Sequence, residues 1–421
     1  MFRIPKKGEP IINSLFQTDF YKFPMGQMIY HKHPNTIVQY EMTNRSTEVL
    51  LAEHIDIGEL KEQLDHVMTL SPENSKVKAL RGTNEYGNKM FEEDYLDFYE
   101  HKMKLPQYYL EKRKDGQLRL GSIGPWADVM NWEIYMLTIV TSLYMRNLLK
   151  GYSQFEIDAI FAKAILKLQE KIKKLQAAIA AGIPISFSDF STRRAAFPFW
   201  QDYIVEVLSE IFPDDVFRGT SNVFLAYKHN VMAMGTNAHE IMMVYRVLFD
   251  SLMVSQKQAL TDWESEFGPG LYIALSDTYS SDYFNQYIIT PEQAATWKGF
   301  RQDSGDPFIF GEKTIRFYES LGIDPRTKLI VFSDGLDVDT IIKLANFFKG
   351  RIMTTFGWGT NLANDIGFKP LSLVVKAIKA DGKGLVKLSD NIAKAIGKPA
   401  DIEKVKREVG YHEKFFVAPT Y

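Results

Sequence analysis

The chain has 421 residues, 45% hydrophobic and 24% charged, enough for two structural units and far from the composition of a disordered polypeptide. Lys+Arg 50 against Asp+Glu 52 leaves a formal net charge of -2, so no global basic field exists to hold nucleic acid or an anionic membrane, and any bound anion must be held locally. With no cysteine, disulfides, thiolate nucleophiles and Cys-ligated zinc are excluded together, which fits a reducing compartment.

The N-terminus, MFRIPKKGEPIINSLFQTDFYK, has two early lysines but no continuous apolar stretch behind them. It does not read as a secretory signal, and a cytoplasmic location is expected. Residues 1–125 carry scattered strands such as TIVQYEMTN and helices such as GELKEQLDHVM without regular alternation, which predicts a separate α+β unit. The uncharged run between Glu133 and Arg146 is shorter than the about 20 residues of a membrane span, so it predicts a buried helix. From Phe155 to Ala181 apolar positions recur at helical spacing and stop at Gly182 with Pro184 just beyond. This predicts one long surface helix whose lysines form a solvated face.

From Gly182 onward one grammar repeats: a short apolar run, a polar or Gly-rich tip, then an amphipathic stretch. Strands are expected to end at ISFSDF, DVFRGTSN, VMAMGTNAHE, LYIALSDTY, WKGFRQDSGD, LIVFSDGLD and RIMTTFGWGTN. Such alternation argues for a parallel sheet covered by helices, and this many units favour a closed barrel over an open doubly wound sheet, the alternative. After Lys369 the rhythm breaks. LSLVVKAIKADGKGLVKL reads as two strands around an ADGKG turn. The tail is expected to return to the first unit, giving a discontinuous domain of 1–125 plus 371–421 beside a barrel domain of 126–370.

In a barrel, strand ends and the loops after them form one face. Those tips hold Asp189, Arg193, Ser221, His239, Arg301, Asp303, Asp306, Asp334 and Asp337, a density of charge that calls for a ligand. Gly219, Gly235, Gly305, Gly335, Gly357 and Gly359 stand at the same tips, where backbone N–H groups can hold phosphate oxygens. Familiar motifs fail: His239-Glu240 begins like HExxH, but position 243 is methionine, and Gly357-x-Gly359-x-x-Leu362 lacks the third glycine of a dinucleotide fingerprint. No Walker-type loop occurs, nothing marks a zinc site, and no lysine stands at a strand tip for Schiff-base chemistry.

YKFPMGQ after TD, NRS at Arg45, FSDFSTRRA, RGTSNV, GTNAHE, FRQDSGDP, FSDGLD and TTFGWGTNLAND together resemble the nicotinate phosphoribosyltransferase family, in family order along essentially the whole chain. The resemblance implies an irregular TIM-like α/β barrel beside an N-terminal α/β sandwich that the C-terminal tail completes. It also implies joining of nicotinate to phosphoribosyl pyrophosphate, giving nicotinate mononucleotide and pyrophosphate, in NAD salvage. ATP hydrolysis would drive the step through a phosphohistidine, and His239 stands at the position the family phosphorylates. Mg²⁺ would be bound through substrate phosphates.

By the same resemblance nicotinate stacks between Phe190 and Tyr21, with Tyr21 reaching over from a neighbouring subunit of a homodimer with shared sites. Arg301, helped by Ser221, would pair with the carboxylate. Serine at 221, where the related nicotinamide enzymes carry aspartate, favours the acid over the amide. Arg45 and Arg193 are expected on phosphates, because a guanidinium forks onto two oxygens. Asp334, with Ser333 and Gly335 beside it, suits ribose hydroxyls, while Gly357, Gly359 and Thr360 suit the ribose 5′-phosphate. Asp303 and Asp306 would orient the sugar, bind Mg²⁺ or stabilise developing cation character; which does which stays open, and N-capping is the competing structural role for each. A nicotinamide phosphoribosyltransferase and a non-catalytic nucleotide-binding relative are the alternatives.

Overall fold

Two sheets organise the chain. The computed structural model describes residues 2–85, 87–412 and 415–417; the last part of the expected first domain, at 413–414 and 418–421, lies outside them. In chain order, helix α1 (Lys22–Lys32) leads into β1 (Ile37–Asn44), then β2 (Tyr108–Lys112), β3 (Leu118–Pro125) and the helices α2 (Trp132–Leu148) and α3 (Gln154–Ala180). There follow β4 (Phe187–Asp189), β5 (Phe217–Thr220), α4 (Glu240–Leu248), β6 (Ile273–Leu275) and β7 (Gly299–Gln302). Helix α5 (Pro307–Ser320), β8 (Leu329–Phe332), α6 (Val338–Phe348), β9 (Met353–Trp358), the short α7 (Thr360–Ala363), β10 (Leu373–Ala380) and β11 (Lys383–Gly384) complete the framework.

The first sheet has the order β11-β10-β1-β3-β2 and is antiparallel. In β1, Val38, Tyr40 and Met42 are buried, the period-2 pattern of a strand with one face on the core. Strand β10 lies directly beside β1, from Val38 opposite Ala380 to Asn44 opposite Leu373, with a bulge at Gln39/Tyr40. The tail therefore does return to the first sheet, and β10 and β11 form the expected hairpin. Helix α2 is buried on every side from Trp132 to Met145 and packs against β10. Among the described residues no helix is long and apolar enough to cross a membrane.

Helix α3 begins with a Ser153/Glu156 capping box. It ends in a Schellman turn, in which Gly182 N–H donates to Ile179 O and Ile183 N–H to Ala178 O. Gly182 is at φ +78, where glycine carries no Cβ penalty. Phe161, Ala164, Leu168, Ile172 and Leu175 are its buried stripe. The lysines are not all solvated as expected. The Lys171 side chain is only 13% exposed and reaches Asp365, because α3 packs along the loops at one end of the second sheet.

The second sheet has six strands in the order β5-β4-β9-β8-β7-β6, every neighbouring pair parallel. VMAMGTNAHE, expected as a strand, is not one. It makes a single bridge, Thr220 to Ala233, with Thr220 N–H donating to Met232 O and Met234 N–H to Thr220 O. Further on, Asn237 Nδ2 donates to Ile273 O of β6 at 3.2 Å. The segment thus spans the gap between edge strands β5 and β6 without a ladder, which is why the barrel is irregular. Gly235 packs closely under Tyr21, where an added Cβ would stand 2.9 Å from the Tyr21 backbone nitrogen, so glycine is required where the segment passes the start of α1.

Candidate active site

Parallel strands put their C-terminal ends on one face, and here that face is roofed by the first sheet. One pocket lies between them. Its lining takes Phe190 from the end of β4, Ser221 after β5, Arg301 and Asp303 from β7, and Ser333, Asp334 and Gly335 after β8. Gly357, Gly359 and Thr360 come from β9 and α7. Tyr21, Arg45, Arg193 and His239 complete the set expected from sequence. Asp306 does not join it. Its carboxylate accepts from Phe308 N and Ile309 N as the N-cap of α5, so the structural role holds there. Asp337 likewise caps α6 through Thr340 N, and Asp189 is buried in bonds to Ser191, Gln201 and Thr220.

His239 is buried at the start of α4 and makes no capping bond. Nδ1 lies 3.0 Å from Thr278 Oγ1 and Nε2 3.0 Å from Asp303 Oδ2, with Asp277 Oδ1 3.8 Å away. Burial, reinforced by the nearby Lys387 charge and opposed by Asp277 and Asp303, brings its pKa down to about 4. The imidazole is therefore neutral near pH 7, the nucleophilic form. Asp303 as a carboxylate can only accept, so Nε2 carries the proton in this tautomer and Nδ1 accepts from the threonine hydroxyl. Burial works against charge on Asp303, but the His239 hydrogen bond and Arg301 outweigh it and hold its pKa well below the ordinary range.

Arg301 Nη1 donates to Asn237 O at 2.9 Å, and Nη2 lies 3.7 Å from Asp303 Oδ1. Its buried Nε has no hydrogen-bond partner among the described residues, and neither has Thr360 Oγ1. Both residues line the pocket, where these atoms can bond a substrate. Phe190 rests over Gly357, where an added Cβ would come within 2.3 Å of the ring; this glycine makes room for the aromatic face.

One expectation about the base end needs correction, that for Ser221. Tyr21 lines the pocket, with its hydroxyl donating to Glu133 Oε2 at 3.0 Å. Serine at 221 was expected to keep an anion away, yet its hydroxyl donates to Asp19 Oδ1 at 2.7 Å. Asp19 also takes Arg193 Nη1 at 2.7 Å. The carboxylate is present after all, supplied from the chain start and paired with an arginine.

Sequence reasoning missed Asp19, Glu133, Lys376, Lys387 and Lys394, all of which line the pocket. Asp19 sat within the TD that precedes Tyr21, and Glu133 was the single acid opening an apolar helix, so both left a signal. Glu133 gathers Lys22 at 2.8 Å and Lys376 at 3.2 Å. Burial opposes its charge, but Lys22 and Lys376 prevail and keep its pKa low. Lys394 Nζ donates to Asp303 O at 2.9 Å and to Asp334 Oδ1. Burial nevertheless raises the Asp334 pKa despite Lys394. Burial, only partly offset by Asp277 and Asp303, lowers Lys387 to about 8. Asp277 and Thr278, at the LYIALSDTY tip, were also unassigned.

Cations around a neutral histidine, with an aromatic face and an arginine at one end, make a site for phosphates and a flat anion. Residues 185–414 match the nicotinate phosphoribosyltransferase (NAPRTase) family model and residues 16–141 its N-terminal domain model. The chain belongs to the nicotinate phosphoribosyltransferase family. It is similar to the crystal structure of nicotinate phosphoribosyltransferase from Vibrio cholerae, with a TM-score of 0.85 and 29% identity over 96% of this chain and 95% of that one. The one from Porphyromonas gingivalis matches with a TM-score of 0.83 and 27% identity over 95% of this chain and 100% of that one. The mixed α/β fold with its six-stranded parallel sheet agrees with these nicotinate phosphoribosyltransferase neighbours.

Proposed function

We propose that the chain transfers the phosphoribosyl group of phosphoribosyl pyrophosphate to nicotinate, coupled to ATP hydrolysis through phosphorylation of His239, in NAD salvage. The observation that carries this is the opening of His239, Arg301 and Asp334 onto one pocket. Nicotinate lies against Phe190 and Tyr21 with its carboxylate on Arg301. Its ring nitrogen lone pair forms the bond to the anomeric carbon as the bond to pyrophosphate breaks and those electrons leave with pyrophosphate. Positive charge then grows on the ribose, and Asp334 and Asp303 face it; Arg45, Arg193, Lys387 and Lys394 face the departing phosphates.

For phosphorylation, the imidazole takes its other tautomer, with the proton on Nδ1 and hydrogen-bonded to Thr278 Oγ1. The Nε2 lone pair then faces the γ-phosphorus, and ADP leaves with the electrons of the broken bond. Asp303 must swing off Nε2, and Arg301 stands ready to take it. A phosphohistidine beside Lys387 adds charge to the pocket and shifts affinity for substrate and product, which is how hydrolysis biases a separate reaction. Mg²⁺ is assigned to the substrate phosphates.

The reading is tested with labelled nicotinate, with and without phosphoribosyl pyrophosphate and ATP, beside labelled nicotinamide. Mononucleotide from nicotinate that rises with ATP is expected. Product from the amide alone would overturn it in favour of a nicotinamide enzyme, and no product from either would favour a binding protein.

Lys387 gives a pH signature. Its ammonium is lost as pH rises through about 8, so kcat/KM for phosphoribosyl pyrophosphate, which reports the free enzyme, is expected to fall above that pH. Lys387→Arg keeps its charge and should remove the break in the profile.

A further inference from the structure

Helix α3 lies outside the barrel, yet one of its lysines is drawn inward. Lys171 Nζ stands 2.5 Å from Asn361 O and 3.5 Å from Leu362 O, 2.8 Å from Asp365 Oδ2, and 5.5 Å from the centre of the Trp358 ring. An ammonium has three donors, and all three point at the one turn that follows β9. Burial lowers the Lys171 pKa, with Asp365 opposing. An apolar side chain would cross this helix-to-barrel contact without that cost.

The turn explains the lysine. Helix α7 spans only Thr360–Ala363, too short to satisfy its own last carbonyls. On its inner side Gly357, Gly359, Thr360 and Asn361 line the pocket. Asn361 also donates Nδ2 to Leu336 O at 3.1 Å, tying the turn to the loop that carries Ser333 and Asp334. Its carbonyl faces Lys171, so one residue joins helix, turn and neighbouring loop.

We infer that Lys171 is a positioning residue for the phosphoribosyl subsite, holding the Gly359–Asn361 turn from outside the barrel at the distance a sugar 5′-phosphate requires. The inference rests on the reading that this turn receives that phosphate. Lys174, one helical turn on, is the contrast. Its pair with Asp339 is 51% and 56% exposed and is expected to contribute little.

Lys171→Met keeps the apolar stem and removes the ammonium. The KM for phosphoribosyl pyrophosphate is expected to rise about 10-fold or more, since displacement of a substrate contact by an ångström carries effects of this order. The nicotinate KM and kcat should change by less than about 3-fold, within the same range of positional effects, and Lys174→Met should change neither KM. A purely structural lysine would lower the melting temperature and leave both KM values alone; that result, or an equal rise in both, overturns the inference. Thr360→Ala separates it from its premise. If Thr360→Ala raises the KM for phosphoribosyl pyrophosphate and Lys171→Met does not, Lys171 has no such role; if neither does, the turn is not the phosphate subsite. Should Lys171→Met not fold, Asp365→Asn weakens the same tie and is expected to raise that KM selectively, no change being again a refutation.

Discussion

His239→Ala is expected to abolish the stimulation of nicotinate mononucleotide formation by ATP. Coupling between two ligands through a protein is typically worth about 1–3 kcal/mol, or roughly 5- to 150-fold, so an ATP effect in this range should collapse to none. ATP hydrolysis should fall to background, and no acid-labile phosphate should appear on the protein after incubation with γ-labelled ATP. Transfer without ATP should persist at a reduced rate, because Arg301, Asp334 and the pocket cations remain. The site explains why the histidine is suited to the task. Burial keeps it neutral with a pKa of about 4, Thr278 can accept a hydrogen bond from Nδ1–H in the other tautomer, and Asp303 has a second cationic partner in Arg301. An unchanged ATP effect in His239→Ala would remove the phosphohistidine from the mechanism and leave the transfer chemistry standing.

Arg301→Ala is expected to raise the nicotinate KM about 30- to 150-fold, the equivalent of about 2–3 kcal/mol for a carboxylate stripped of a buried charged partner. The KM for phosphoribosyl pyrophosphate should move far less. Arg301 has an orphaned Nε among the described residues and a neighbour in Asp303, so the variant also loosens Asp303. The fold stimulation by ATP, measured alongside, reports that second effect separately. Arg301→Lys should recover only part of the loss, because an ammonium cannot fork onto both carboxylate oxygens. Equal increases in both KM values would reject Arg301 as the carboxylate partner.

At the base end, acid-over-amide preference cannot be credited to Ser221 as the sequence suggested. With Asp19 held on both Ser221 and Arg193, an anion already stands beside the pocket, neutralised by its arginine. Discrimination then falls to the cation facing the substrate, which the Arg301 variants measure when nicotinate and nicotinamide are compared.

The helix limits, the strand tips and the rhythm of the barrel were legible in the chain because the forces behind them act over a few residues. The Ser153/Glu156 box starts α3 and Gly182 stops it. Apolar runs become the parallel strands, and parallel strands necessarily gather Phe190, Asp303, Ser333 and Gly359 at one end. The same local chemistry misled at VMAMGTNAHE, whose apolar start suits a strand but which makes a single bridge, and its close approach to Tyr21 at Gly235 is invisible from either segment. Asp306 and Asp303 also look alike in FRQDSGDP; only the start of α5 turns one into a cap while β7 aims the other at His239.

The sequence by itself determined which residues close six of the seven expected strands of the second sheet and where the long helix beside it starts and stops, since hydrophobic period and turn chemistry are properties of neighbours along the chain. Only the tertiary structure decided that Asp19 meets Arg193, that Lys387 and Lys394 come from the tail to Asp303 and Asp334, and that Lys171 is drawn inward. Those contacts join segments far apart in the chain, and they are set by how the first sheet and α3 pack around the mouth of the second, a long-range balance of burial and charge that leaves no periodic trace in the residues it brings together.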